Sequence, residues 1–323
     1  MSKPVYLVDA SIYIFQAYFS PHLQVVAQDG RDLSAFFGFA QFLLRFLRQA
    51  RPQHVAAAFD ESLFCGFRHA LYPAYKSNRE LPDENLARQL QACAELATLL
   101  GVSAFGSRVY EADDIIGTLA ARVRAQHREM NLERAPGISI VSRDKDLAQL
   151  LLSEQDHLWD FSGASRRFRK HIVEQYGIRA EQFPDYLGLV GDAVDSIPGV
   201  PGIGPVAATC LLRHFESIPL LYENLADVAL LSYRGANKGS ALLQRYEAEA
   251  RLSRTLATIV QDIDSPDEPF SQIPVSSLQW RAPEVQGVRE LLQREGLEPQ
   301  IIERYLALLV GLQPVAVAET EVS

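Results

Sequence analysis

Short apolar runs that stop at an acidic residue constrain this chain more than any other feature. Residues 4–8 run into Asp9, residues 54–59 run into Asp60, and residues 137–142 stop just before Asp144. Runs of this length, bounded in this way, read as buried parallel strands. Between them lie stretches with apolar residues at helical spacing: from Ser11, over 33–50, over about 84–100, and from about Ala112. A shorter strand is expected near 102–105. The alternation predicts an α/β fold, a parallel sheet covered by helices on both faces. In such a sheet the carboxyl ends of the strands open on one crevice.

Nine carboxylates cluster at or near these ends. Asp9 and Asp60 are joined by Glu111, Asp113 and Asp114 in Tyr-Glu-Ala-Asp-Asp. Asp144 and Asp146 follow in Ser-Arg-Asp-Lys-Asp, and Asp192 and Asp195 in Gly-Asp-Ala-Val-Asp-Ser-Ile-Pro-Gly. A lone Asp at a strand end is as readily a helix N-cap. Five clusters so placed favour a shared site. Asp144 and Asp146 can reach one side of a turning segment, and Asp192 and Asp195 share one face of a helical turn. Asp113 and Asp114 cannot share a helix face, so one of them is a candidate for a cap or a water-mediated role. Carboxylates gathered in one crevice repel unless cations lie between them. Oxygen ligands without His or Cys favour Mg²⁺ or Mn²⁺, and two such ions can cleave a phosphodiester.

The formal net charge is −9, so the nine carboxylates alone account for it and the remaining body is neutral. The acidity therefore does not argue against a nucleic-acid partner, for which charge placement matters more than the total. Cys65, Cys93 and Cys210 lie far apart, which argues against zinc knuckles and a disulfide framework. The first apolar run contains a carboxylate and does not read as a signal peptide. No stretch reaches the roughly 18 apolar residues of a membrane span. A soluble cytoplasmic protein is expected.

The segment from Phe67 to Arg79 mixes cations with aromatics, and Pro82 and Asp83 mark the next helix start. Alone it would be a solvated loop. Beside a metal cluster, its Lys and Arg can bind a phosphate and its Tyr can stack on an unpaired base. After about residue 172 the chain turns mostly helical. Gly199, Gly202 and Gly204 form a glycine-rich hairpin ahead of an apolar helix from Val206 to Phe215. Helix, hairpin, helix can aim backbone N–H groups at a phosphate. Residues 265–283 read as a loop, 284–311 as a helical pair, and 314–323 as a disordered tail. Phe36, Phe37, Phe39, Phe42 and Phe46 read as core.

Together these motifs resemble the bacterial and phage 5′-nuclease (flap endonuclease) family, most closely the 5′–3′ exonuclease domain of bacterial DNA polymerase I, over residues 4–312. Leu-Val-Asp, Phe-Arg-His with Tyr-Lys-Ser-Asn-Arg, Tyr-Glu-Ala-Asp-Asp, Asp-Lys-Asp, and the Gly-Asp segment with its hairpin carry the resemblance. It implies an α/β nuclease domain at 1–172 with a helical arch at about 61–85, a helical DNA-binding domain at 173–312 with a helix–three-turn–helix motif at about 186–215, and a tail at 313–323. It implies two Mg²⁺ or Mn²⁺ ions. Asp9, Asp60, Glu111 and Asp113 would surround the first. Asp113, Asp144, Asp146, Asp192 and Asp195 would surround the second, with Asp114 acting through water. Lys76 and Arg79 would hold the scissile phosphate, Tyr75 would stack near the terminal base, and Arg68 is a weaker candidate of the same kind. Gly199, Gly202 and Gly204 would meet the duplex backbone, and hairpin carbonyls at Ser196, Val200 and Ile203 would hold K⁺.

Three positions depart from the family pattern: Gln16 replaces an Arg, Ser196 an Asn, and Pro205-Val206 a Glu-Lys. Each lost phosphate contact weakens DNA binding and flattens its salt dependence. The expected activity is a metal-dependent, structure-specific 5′–3′ exonuclease and 5′-flap endonuclease, acting as a stand-alone monomer on DNA with a free 5′ end. RNA primers are further candidate substrates. A non-catalytic branched-DNA binder is the main alternative. A toxin-like ribonuclease or a phosphatase on a similar scaffold would lack the cationic segment and the glycine hairpin.

Overall fold

A computed structural model of the chain describes residues 3–62, 65–130 and 136–314. Six strands form one sheet: β1 (Val5–Asp9), β2 (His54–Asp60), β3 (Ser103–Ser107), β4 (Ile138–Val141), β5 (His157–Asp160) and β6 (Ser165–Phe168). Their order is β3-β2-β1-β4-β5-β6. β1 to β5 pair in parallel, and β6 closes antiparallel on β5. The order reverses direction at β1, so the crevice of a doubly wound sheet lies beyond the carboxyl ends of β1 and β4.

Thirteen helices are described: α1 (Ala10–Tyr18), α2 (Ser34–Ala50), α3 (Phe67–Leu71), α4 (Glu84–Leu99), α5 (Ala112–Glu129), α6 (Arg169–Tyr176), α7 (Phe183–Val190), α8 (Pro205–Phe215), α9 (Ile218–Glu223), α10 (Ala236–Arg245), α11 (Glu247–Ala257), α12 (Val285–Arg294) and α13 (Pro299–Leu309). The expected α/β class, the first four strands and the helical character after residue 172 are all present. The β5–β6 hairpin was not anticipated. β6 reads Ser-Arg-Arg-Phe, an exposed edge with no apolar run. Its Arg166 lies across the Trp159 ring of β5, 4.5 Å from the centroid, so a cation shields that ring instead of an apolar neighbour.

Strand alternation sorts the core into two layers. Val5 and Leu7 of β1 and Ala56 and Ala58 of β2 face α5 and the helices α7, α8 and α11. Tyr6, Val8, Val55, Ala57 and Phe59 face α2 and α4. Phe36, Phe39, Phe42 and Phe46 are buried in this second layer, with Phe37 at its margin.

The proposed division at residue 172 does not separate two cores. Val288, Leu292, Ile302 and Leu306 of α12 and α13 belong to the second layer, beside residues of β1 and α2. Tyr305 Oη donates to the Ala40 carbonyl (3.0 Å) and Trp280 Nε1 to that of Leu100 (2.9 Å). The segment expected as a loop, 265–283, holds one short 3₁₀ turn at Val275–Leu278 and lies along β3, where Ser103 Oγ donates to the Ser277 carbonyl (2.7 Å). The expected tail at 313–323 lies outside the described residues, save for residues 313 and 314.

Candidate active site

Each acidic cluster sits where a strand hands over to a helix or turn. Asp9 ends β1 and caps α1: Oδ1 accepts from Ile12 N (3.2 Å), and Oδ2 accepts from Ser142 Oγ (2.8 Å), just past β4. Asp60 ends β2, and its Oδ1 accepts from Ala112 N (2.7 Å) at the start of α5. Glu111 is the N-cap of α5, and Asp113 lies in its first turn. Asp144 and Asp146 follow β4, where Asp146 N donates to Asp144 Oδ1 (2.8 Å). Asp192 and Asp195 lie after α7, in a loop closed by a bridge between Asp192 and Ile197. The helix-cap and metal-site readings of Asp9 therefore apply to one side chain.

The electrostatics link these groups into one field. Burial, then Asp60 and Asp144, push the Asp9 carboxyl up to about 7. Burial and Asp144 do the same to Asp146, also to about 7. Burial, with Asp144 and Asp9, raises Asp113 well above the usual carboxylate range. Asp60 is raised by burial and by Glu111. Glu111 goes the other way: burial opposes its charge, but Lys76 and Arg68 outweigh that and hold it at about 2.

The donor set fits hard divalent cations: only oxygen donors, buried or half-buried, mutually repelling. Asp146 Oδ1 is buried and accepts no hydrogen bond, with only the Lys145 ammonium 3.1 Å away. As placed, no three Asp, Glu, His or Cys side chains among the described residues form a ready-made chelate. Cations stand among them instead. Lys76 Nζ is 2.8 Å from Glu111 and 3.9 Å from Asp195, Arg79 is 2.6 Å from Asp195, and Lys145 is 2.6 Å from Asp192.

One pH effect follows for the metal-free protein. A carboxyl whose folded pKa lies above its unfolded value binds protons more tightly when folded. Its contribution is fully present below the unfolded value of about 3.9 and is lost as pH rises through the folded value. Asp9 and Asp146, each pushed to about 7, should therefore make the protein in EDTA less stable as pH rises from 5 to 8. Thermal unfolding across that range with and without Mg²⁺ checks this, since Mg²⁺ should flatten the slope. A flat profile in EDTA would contradict the repulsion.

The cationic segment is not one long helix. It holds the single turn-and-a-half of α3 followed by consecutive turns to residue 79. Lys76 takes φ +50°, and its N donates to the Asp195 carbonyl (3.0 Å), which fixes it at the crevice. Arg68 is placed differently from expectation. It is 3% exposed, pairs with both oxygens of Asp114 (2.6 and 2.8 Å), and donates to the Leu256 and Thr258 carbonyls (2.9 and 2.8 Å). These bonds use four of its five N–H groups, and the Nη1 that carries the fifth lies 3.5 Å from Glu111 Oε2, so a buried phosphate contact has no place there. Asp114, also held by Val260 N (2.9 Å), is a structural partner of Arg68, and water-mediated metal binding has no free oxygen there. Tyr75 is 3% exposed and donates to Glu111 Oε2 (3.0 Å), so its ring presents no face for a terminal base.

The glycine hairpin joins α7 to α8. Gly199 takes φ +64°, and a Cβ there would run into the backbone nitrogen of Gly191, so only glycine fits. Gly199 N donates to Ser253 Oγ of α11 (2.9 Å), which pins the hairpin from inside. Gly202 has φ +92°, and Gly204 caps α8, whose first residue, Pro205, brings no N–H. Ser196 takes φ +56°, and the Val200 carbonyl accepts from Ile203 N (3.0 Å). Gln16 accepts from Ser162 Oγ (3.1 Å). A cavity of about 520 Å³ beside the hairpin, lined by Tyr176, Tyr186, Val206 and Arg213, contains none of the carboxylates. Sequence reading missed Ser142, Ser253 and Lys145. Only Lys145 left a signal, as a cation between two acids.

The 5′-3′ exonuclease N-terminal resolvase-like domain model matches residues 4–184, and the 5′-3′ exonuclease C-terminal SAM fold model matches residues 178–282. The chain is 31% identical over 262 residues to a 5′-3′ exonuclease of Buchnera aphidicola, covering 81% of this chain and 88% of that protein. It is 33% identical over 264 residues to DNA polymerase I of Bacillus subtilis, covering 80% of this chain but 28% of that protein. It thus spans about a quarter of the polymerase relatives' length. Its fold is similar to phage T5 D15 protein co-crystallised with metal ions (TM-score 0.61, 16% identity, 96% of this chain and 99% of that one). It is also similar to the catalytic core of Rad2 in complex with DNA substrate (TM-score 0.59, 16% identity, 96% and 92%).

Proposed function

Since the chain belongs to the 5′–3′ exonuclease family, we propose that it is a metal-dependent, structure-specific 5′-nuclease that hydrolyses DNA at 5′ flaps, nicks and duplex ends. It works in this reading as a cytoplasmic monomer, with RNA primers as further substrates. The observation that supports it most is the position of Asp9, Asp60, Glu111, Asp113, Asp144 and Asp146 at or beyond the carboxyl ends of β1, β2 and β4 or at the start of α5.

Asp9, Asp60, Glu111 and Asp113 would hold one divalent ion, and Asp113, Asp144, Asp146, Asp192 and Asp195 a second. Such ions, when bound, supply an activated water and offset charge on the leaving 3′-oxygen. Lys76 and Arg79 would bring the scissile phosphate to this site. Both now pair with carboxylates, and a phosphate competes for the same donors. Arg68 and Asp114 do not touch the substrate in this account; they fix the cationic segment against α5. The hairpin would meet the duplex backbone through Gly202 and Gly204, the Gly199 N–H being held by Ser253, and K⁺ on the carbonyls of Ser196, Val200 and Ile203 would add a positive charge there. Recognition then rests on backbone shape and a free 5′ end, not on base sequence.

Cleavage of a labelled 5′-flap duplex tests this directly. Cuts near the flap junction with Mg²⁺, none with EDTA, and none in Asp146→Ala are expected. Tight flap binding without cleavage in either Mg²⁺ or Mn²⁺ would favour the non-catalytic binder.

A further inference from the structure

Lys145 bridges two parts of the fold that carry different acidic clusters. Its Nζ is 2.6 Å from Asp192 Oδ2 and 3.1 Å from Asp146 Oδ1. Asp146 opens the 3₁₀ turn after β4, whereas Asp192 lies in the loop after α7. On each carboxylate, Lys145 attends an oxygen that the backbone leaves alone. Asp146 Oδ1 accepts from no backbone N–H, and Val194 N takes the other oxygen of Asp192 (2.8 Å). The Lys145 backbone is anchored, its carbonyl accepting from Ala148 N (3.0 Å), while its side chain is 40% exposed. Rotation about its own bonds can carry the ammonium to solvent without moving the turn. Lys76 lacks that freedom, with a side chain 13% exposed and a backbone tied to Asp195.

A divalent ion brings twice the charge of an ammonium to the same oxygens. We propose that Lys145 is a tethered counter-ion of the metal site: it holds Asp146 and Asp192 together when no divalent ion is bound, and is released to a DNA phosphate when one is. This rests on the nuclease reading. Metal and DNA binding then reinforce each other, because each favours the state with Lys145 released.

Acetylation of lysines in the full chain, read by mass spectrometry, tests the release. Three states are compared: EDTA, Mg²⁺, and Mg²⁺ with a phosphorothioate flap duplex that resists cleavage. Lys145 labelling should rise about fivefold from EDTA to Mg²⁺, the scale of one partly exposed ion pair, and fall again with DNA. In parallel, Lys145→Met should bind Mg²⁺ about fivefold more tightly by calorimetry. It should also lower the salt slope of flap binding by about one. Equal labelling in EDTA and Mg²⁺, or unchanged Mg²⁺ affinity in Lys145→Met, overturns this role while leaving the nuclease reading intact. No calorimetric Mg²⁺ binding by the unmodified chain overturns the nuclease reading itself.

Discussion

Asp113→Asn is expected to slow flap cleavage by about a thousandfold, the equivalent of losing roughly 4 kcal/mol of metal-supplied stabilisation in the transition state. The same change should raise the melting temperature in EDTA. Asp113 is the one residue placed between both proposed ions. Burial, Asp144 and Asp9 all penalise its charge, so its carboxyl is raised well above the ordinary range. An amide keeps the volume, removes the like charge and weakens the ligand. Activity and stability should therefore move in opposite directions. Single-turnover cleavage and thermal unfolding in EDTA, on the same preparation, measure both. Cleavage within tenfold of the unaltered chain would remove Asp113 from the ligand set. A lower melting temperature would show that these carboxylates do not repel as placed.

Arg68→Met should destabilise the protein by about 3–5 kcal/mol, the usual cost of breaking a buried ion pair by removing one partner. Asp114 is fully buried and would be left charged, with Glu111 nearby: Arg68 is 3.5 Å from Glu111 as well as 2.6 Å from Asp114. The Leu256 and Thr258 carbonyls would lose their donor too. Adding Asp114→Leu should recover only part of the loss: it removes the unpaired buried charge, but Glu111 N and Val260 N lose their acceptor. Urea denaturation of the single and double variants decides the matter. If the single variant loses less than about 1 kcal/mol, the level of an exposed pair, the pin is not what orders this region.

Much of the site could be read from the sequence because its elements are local. The strands ending at Asp9 and Asp60 are apolar runs, as is the strand before Asp144 save for Ser139, and each run points to its own carboxylate. The Gly199 turn announces itself by composition. What escaped depends on distance along the chain. Arg68 meets carbonyls 188 and 190 residues away, so nothing around Phe67-Arg68-His69 distinguishes a buried pin from a phosphate ligand. Tyr75 failed as a stacking platform for a related reason: its hydroxyl finds Glu111 only once α5 is docked. Ser142 and Ser253 are ordinary serines until the fold aims them at Asp9 and Gly199. The β5–β6 hairpin lacked a pattern because its outer strand is polar on an exposed edge.

The return of Trp280, α12 and α13 to the core layer built on β1, β2, α2 and α4 has a consequence for how the chain acquires its fold. Trp280 meets Leu100 across 180 residues and Tyr305 meets Ala40 across 265. Pairings so distant in sequence slow folding, because loop closure must be achieved before they stabilise anything. During synthesis the sheet and its first helices emerge with the apolar face beneath α12 and α13 still uncovered. That face stays open until the last elements arrive. Through this interval the exposed apolar face makes the nascent chain prone to aggregation.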